Sequence, residues 1–396
     1  MMKPLEGVRI LSIEQYGAGP FAMLHLADLG AEVIKIEDPS TGGEVSRSVV
    51  PYAENGDSLF FQTFNRNKKS ITLNLKSPEG QEMFRELVKQ ADAVFNNLRG
   101  DVPEKLGVTY EALKDVNPKI VACSLSGFGT SGSMKADPAY DYLLQAMLGH
   151  MSLTGEPGGP PTKYGISIID FSTGMMAALA LMIGIFQSRI HGIGSDVDIS
   201  MFDTAAWELT YLATWHLTKG YEPPRTSYSA HPALVPSQLF PTKDGHLIVM
   251  CNKEKFFPIL CELLSAPELA ADERFKDFTS RYQNKEQLIP RLMALFQKED
   301  TATWLERLRG KVPIAPVNSV EQALQEPLIK ERDMIVEVEH PYFGELRMLG
   351  QPIKVSTFQP QYQAGPALGA HNEEIYGKLL QLTSSDLACL REKGIV

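Results

Sequence analysis

The sequence predicts an α/β protein with a parallel, doubly wound sheet and a second, smaller α+β domain. Three observations carry this expectation. Residues 8–37 read as a β-α-β unit with a glycine-rich first turn. Strand-like and helix-like stretches then alternate to about residue 150, the pattern of a parallel sheet covered on both faces. The composition shifts over Gly220-Tyr221-Glu222-Pro223-Pro224-Arg225 to Pro232, a linker-like run between the large domain and the small one.

The first strand is Val8 to Ile13, an apolar, partly β-branched run, and Gly17-Ala18-Gly19-Pro20 breaks it. Phe21 to Leu29 has helical periodicity, with Pro20 at the first helical position, where its missing N–H costs nothing. Gly30 ends that helix, and Ala31 to Ile36 is a second strand closing at Glu37. Ser70 to Leu75 reads as a strand, and Ser77-Pro78-Glu79 opens a helix running to about Gln90. Strands are expected at Ala93 to Asn97 and Ile120 to Leu125, with helices at Tyr110 to Asp115 and Tyr140 to Gly149. A short apolar segment, Tyr164 to Ile169, leads into a hydrophobic helix ending near Ser188. After a strand at Val197 to Ile199, an aromatic-rich helix spans Met201 to Lys219. Strands near Leu239 and Leu247 to Met250, joined by Thr242-Lys243-Asp244-Gly245, read as a hairpin in a small domain at 225–325. Helices at about 253–264, 285–297 and 301–309 complete it. Strands at Ile335 to Val338 and Leu346 to Leu349 and two C-terminal helices finish the chain.

Composition narrows the function. The chain has 396 residues, with 43% hydrophobic and 22% charged, as in an ordinary globular protein of two or three domains. A net charge of −10 speaks against a broad nucleic-acid surface, which needs clustered positive charge. The longest apolar run, Phe171 to Phe186, is shorter than the roughly 20 residues of a membrane span, so a buried helix is expected and no membrane partner. Met1 to Gly7 lacks the apolar core of a signal peptide. Cys123, Cys251, Cys261 and Cys389 lie far apart, which suggests neither a zinc site nor a disulfide framework. A cytoplasmic protein without a metal is the expectation.

Four segments are candidates for chemistry. Gly17-Ala18-Gly19-Pro20-Phe21-Ala22 with Glu37 has the outline of a dinucleotide fingerprint, where glycines admit a pyrophosphate and the acid binds a ribose. A plain tight turn is the first alternative reading, and another phosphate-bearing cofactor the second. Gly127-Phe128-Gly129-Thr130-Ser131-Gly132 repeats the glycine spacing but opens no helix, so a surface loop is expected. Arg66, Lys68, Lys69 and Lys76 gather cations in an acidic chain, either as a solvated turn or as a phosphate site. Asp170 stands at an expected strand-to-helix junction, as an N-cap or as a carboxylate nucleophile toward an activated acyl group. There is no Gly-x-Ser-x-Gly elbow, H-x-x-x-H pair or P-loop.

Together these segments resemble the class III coenzyme A transferases, the group of formyl-CoA:oxalate, crotonobetainyl-CoA:carnitine and succinyl-CoA:dicarboxylate CoA transferases. The resemblance runs from Pro4-Leu5-Glu6-Gly7 to the C-terminal helices, through Ala18-Gly19-Pro20, Leu29 to Glu37, Asn65 to Ser70, Asp170-Phe171-Ser172-Thr173-Gly174 and Thr242 to Gly245. It implies that coenzyme A, as acyl-CoA substrate, is the only cofactor, and that Asp170 is the nucleophile. Asp170 would pass through a mixed anhydride and an aspartyl-CoA thioester in a dry site, with nearby backbone N–H groups stabilising oxyanions. It implies CoA contacts at Gly17, Ala18, Leu73, Lys76, Asn97, Leu98, Arg99, Lys105 and Tyr140. Position 38, an arginine in some members, is Asp38 here, so either a nearby cation serves in its place or that contact is lost. The stretch Val235 to Leu239 lacks the glycine run of the family's flap. The resemblance also implies a large Rossmann-like domain built from 1–224 and 326–396, and an interlocked homodimer.

Three rivals share parts of this pattern. An α-methylacyl-CoA racemase would carry Gly-His-Asp where this chain has Ala139-Tyr140-Asp141. Tyrosine, with a pKa near 10, is a poor proton relay at neutral pH. An NAD(P)-dependent dehydrogenase would rest on the glycine turn alone. A CoA-binding scaffold would have no need of Asp170. For the acceptor, a carboxylic acid with a second carboxylate is expected, met by Arg47, which follows the first β-α-β unit.

Overall fold

The computed structural model describes residues 2–396. The chain forms two compact units, one of 1–148, 165–209 and 328–396 and one of 149–164 and 210–327. The division falls at Leu209 rather than near residue 225, and 149–164 groups with the second unit.

The first unit is built on a six-stranded sheet. Its strands are β1 (Arg9–Ile13), β2 (Glu32–Glu37), β3 (Lys69–Thr72), β4 (Ala93–Asn96), β5 (Val121–Ser126) and β6 (Ser195–Ser200). Every neighbouring pair is parallel, in the order β3-β2-β1-β4-β5-β6. This is the doubly wound order, whose reversal between β1 and β4 opens a crevice at the carboxyl ends of those strands.

Residue alternation explains why both faces are covered. Ile10, Val33 and Phe95 point to one core, with Ala22, Met23 and Leu26 of helix α1 (Ala18–Asp28). Leu11, Ile34 and Val94 point to the other, with Phe84 and Leu87 of the helix Pro78–Val88. The chain returns after the antiparallel strands Ile335–His340 and Gly344–Leu349 to complete this second core. Ile375 and Tyr376 of the helix Asn372–Leu380, and Leu387 of the helix Ser384–Glu392, are buried there. The C-terminal return is therefore part of the same unit as the N-terminal sheet.

Several expectations are corrected. Residues 159–167 form no strand, and Asp170 lies in the first turn of a helix, Ile168–His191. That helix has 24 residues, so it is long and apolar enough to cross a membrane by length and composition. Its side carrying Ile169, Ala177, Leu181 and Ile185 is buried in the first core, as expected of a core helix. The expected single helix over 201–219 is two, Met201–Glu208 and Thr210–Lys219, broken where Thr210 takes a φ of +49°.

The second unit has its own core. Strand Ser237–Pro241 pairs antiparallel with His246–Met250, as the hairpin reading requires, and Ile314–Pro316 adds a third strand. Phe240, Phe257, Leu292, Phe296 and Trp304 are buried against them.

Candidate active site

Two adjoining cavities occupy the β1/β4 crevice. They share Gln15, just past β1, and Leu98, just past β4. One, of about 300 Å³, is walled by Ile13, Ile36, Leu73, Leu75, Leu98 and Val102, with Asp38 and Lys76 among its polar lining. The other, of about 280 Å³, holds Gly17, Ala18, Asn97, Arg99, Tyr140 and Asp170. Ten of the twelve residues singled out in the sequence thus lie along one groove. Lys105 and Arg47 do not line it.

Asp170 is placed by the start of its helix. Helix Ile168–His191 leaves its first amides without intrahelical partners. Asp141, buried at the start of the helix Asp141–Met147, supplies one: its Oδ2 accepts from the amides of Ile169 at 2.7 Å and Asp170 at 3.0 Å. Its Oδ1 accepts from Gln145. Burial raises the Asp170 pKa to about 7, and the neighbouring Asp141 charge pushes the same way. The amides beside Asp170, expected as oxyanion donors, are therefore taken by Asp141. Asp141 itself was visible only as the last residue of Ala139-Tyr140-Asp141.

The glycine turn faces this carboxylate. A methyl group at Gly17 would stand 3.4 Å from Asp170 Oδ2. One at Gly19 would meet Asn97 Cγ at 2.6 Å. The two glycines of the fingerprint thus answer to Asp170 and Asn97, and its acid is spent elsewhere. Glu37 is buried with Arg47, whose Nε and Nη2 donate to it at 2.8 and 2.7 Å, and with Ser70 Oγ at 2.7 Å. Burial pushes the Glu37 pKa up, but Arg47 and Lys35 outweigh it and hold the group at about 2.

Arg47 is corrected on the same ground. Its guanidinium also donates to the Pro366 carbonyl at 3.1 Å and stacks 3.8 Å over Phe61. It has no fork left for a substrate carboxylate. The cation-rich segment is likewise structural. Arg66 pairs with Asp28 at 2.7 Å, Lys68 with buried Glu14, and Lys69 with Glu32 and Glu374. Only Lys76 stays at the groove, 3.0 Å from Asp38 and largely exposed. Arg99 and Lys105 both pair with Asp101, Lys105 from outside the cavities. Gly127, expected in a surface loop, lines the Asp170 cavity, and no helix follows it before Asp141. Among the described residues no cluster of His, Cys, Asp and Glu could hold a metal ion.

A half-buried carboxylate thus faces a glycine turn at the switch point of a doubly wound sheet, the place where ligands of such sheets bind. The family follows from comparison. Residues 5–372 match the model of CoA-transferase family III. A succinyl-CoA:glutarate CoA-transferase of Mus musculus is 35% identical over 100% of this chain and 91% of its own length. An acetyl-CoA:oxalate CoA-transferase of Acetobacter aceti is 35% identical over 91% of each chain. The solved structure of a CAIB/BAIF family protein from Brucella suis superposes with a TM-score of 0.81 at 32% identity, over 96% of this chain and 100% of that one. The chain belongs to CoA-transferase family III. It is an enzyme that moves coenzyme A from an acyl-CoA donor to a carboxylic acid, and acyl-CoA is its substrate.

Proposed function

We propose that Asp170 is the nucleophile of this transfer and that the acceptor is a dicarboxylic acid. The observation that carries the first part is the Asp170 carboxylate at Gly17, inside the groove that also holds the CoA candidates. Asp170 attacks the thioester carbonyl and expels CoA as thiolate, forming a mixed anhydride of Asp170 and the donor acid. The thiolate attacks the aspartyl carbonyl of that anhydride, giving an aspartyl-CoA thioester and the free donor acid. The acceptor carboxylate displaces the thiolate from Asp170, and the thiolate then takes the acceptor's acyl group, restoring the Asp170 carboxylate. Oxyanion donors come from the Ala18 and Gly19 amides at the start of α1, since those beside Asp170 are used by Asp141.

The cofactor assignments follow the groove. The adenosine end takes the apolar cavity of Leu73 and Leu98, with Lys76 as the cation that serves beside Asp38. Gly17, Ala18, Asn97, Arg99 and Tyr140 take the thioester end, and Lys105 stays an outer basic contact. The dicarboxylate reading is supported by relatives named for glutarate and oxalate, both dicarboxylic acids. Arg47 plays no part in it.

The reading includes a homodimer, with interlocked chains. Its support is the outward side of helix Ile168–His191, where Met175, Leu179, Ile183, Phe186 and Ile190 form an exposed apolar stripe. The four free cysteines suit a reducing cytoplasm. The test is steady-state transfer by Asp170→Ala. The variant should bind CoA as the wild type does and lose transfer by at least about 1,000-fold. Transfer near the wild-type rate from a clean preparation would end the mechanism.

A further inference from the structure

The loop that brings Gly17 to Asp170 is held by a set of polar side chains around it, most of them buried. Lys35 Nζ donates to the Glu14 carbonyl at 2.9 Å. Asn97 accepts the Gln15 amide and donates to the Gln15 carbonyl, both at 2.8 Å. Glu44 Oε2 accepts the Tyr16 amide at 2.8 Å. Lys68 Nζ donates to the Pro20 carbonyl at 3.0 Å and to the Glu14 carboxylate. The side chains of Glu14, Lys35 and Lys68 are wholly buried, and that of Glu44 nearly so.

Tyr16 is the strained link. Its φ is +67°, a left-handed conformation that is unfavourable for a non-glycine residue and persists only where the surroundings fix it. Glu44 is itself fixed from three sides. Its Oε1 accepts from Ser46 Oγ and from Asn65 Nδ2 at 3.3 Å, and stands 3.6 Å from Lys35 Nζ.

We propose that Glu44 is a positioning residue. It acts through the Tyr16 amide, holding the Tyr16–Gly17 turn so that the Gly17 backbone and the start of α1 meet the Asp170 carboxylate. The inference rests on Asp170 as nucleophile. It assigns the buried charge cluster, and with it Lys68 of the Asn65–Ser70 segment, to active-site geometry rather than to phosphate binding. A misplacement near 1 Å can cost about 100-fold in rate, so the turn has little tolerance.

The position of the Glu44 oxygen matters more here than its charge. Glu44→Gln keeps the length and an acceptor oxygen. Glu44→Asp keeps the charge and draws the oxygen back by one methylene. The expected result is kcat within about threefold of wild type for Glu44→Gln and about 10- to 100-fold lower for Glu44→Asp, with KM for acyl-CoA within about threefold in both. The reverse ranking would make Glu44 a charge partner of Lys35 and overturn the proposal, as would wild-type kcat in Glu44→Asp. Should Glu44→Asp not fold, Ser46→Ala replaces it, since it removes the hydroxyl that orients Oε1. That variant should lose kcat by about three- to tenfold at constant KM, and an unchanged kcat would overturn the proposal. Asp170→Ala is measured alongside. Transfer surviving there removes the nucleophile reading, whereas its loss there with full rate in Glu44→Asp removes the positioning claim alone.

Discussion

Asp170 is held where its charge is least welcome. Its ordinary pKa of 3.8 is raised to about 7, first by burial and then by Asp141. Below about pH 4 the carboxyl is protonated in both folded and unfolded chains and costs nothing. Between about pH 4 and 7 the unfolded chain releases its proton first, so stability falls, and above 7 the loss is complete. Asp170→Asn should therefore stabilise the protein at pH 8 by about 2 kcal/mol, a value discounted for the solvent that still reaches the group. The gain should shrink to nothing below pH 4, as followed by denaturant unfolding across pH. Equal stability at pH 8 would mean that the site does not disfavour the charge. The place of Asp170 in the groove was legible through its motif. The partners of Glu37 and Arg47 were not, because each was read toward a ligand when they neutralise each other, a pairing visible only once the turn Val45–Ser48 folds back on the end of β2.

At the scale of elements, the sheet was legible because its strands alternate between two cores and its first turn carries glycines. The cation-rich segment misled because sequence shows charges and hides their partners. Asp28, Glu14, Glu32 and Glu374 come from distant elements. Arg47 plays the same kind of part, tying Glu37 at the end of β2 to the Pro366 carbonyl of the C-terminal return. Arg47→Ala would leave Glu37 buried and unpaired. It should cost about 3–5 kcal/mol of stability. In the folded fraction, KM for dicarboxylates should move no more than KM for monocarboxylates. A stable variant with KM raised for dicarboxylates alone would return Arg47 to the substrate. The strand expected before Asp170 failed for a related reason. Residues 164–169 are apolar, but Ile168 and Ile169 already belong to the helix, and its side chains supply the burial.

For the whole molecule, the helix Ile168–His191 is the element whose reading changed most. Its length was hidden because Ser188 and Arg189 look like an end, yet the helix continues to a left-handed Gly192. Its covered side is explained by the core. Its other side, with Ile183 57% and Phe186 67% exposed, asks for a partner, and a second copy of the chain is the proposed one. Sedimentation should give twice the 43.8 kDa chain mass for the wild type, and a monomer for Ile183→Asp combined with Phe186→Glu. A wild-type monomer at micromolar concentration would refute the dimer.

The central claim, covalent transfer through Asp170, is tested most directly by intact-protein mass spectrometry after incubation with a panel of acyl-CoAs that includes succinyl-CoA. The account predicts a hydroxylamine-sensitive CoA adduct on the wild type and none on Asp170→Ala. An adduct of equal size on Asp170→Ala, or full transfer by that variant, would contradict it.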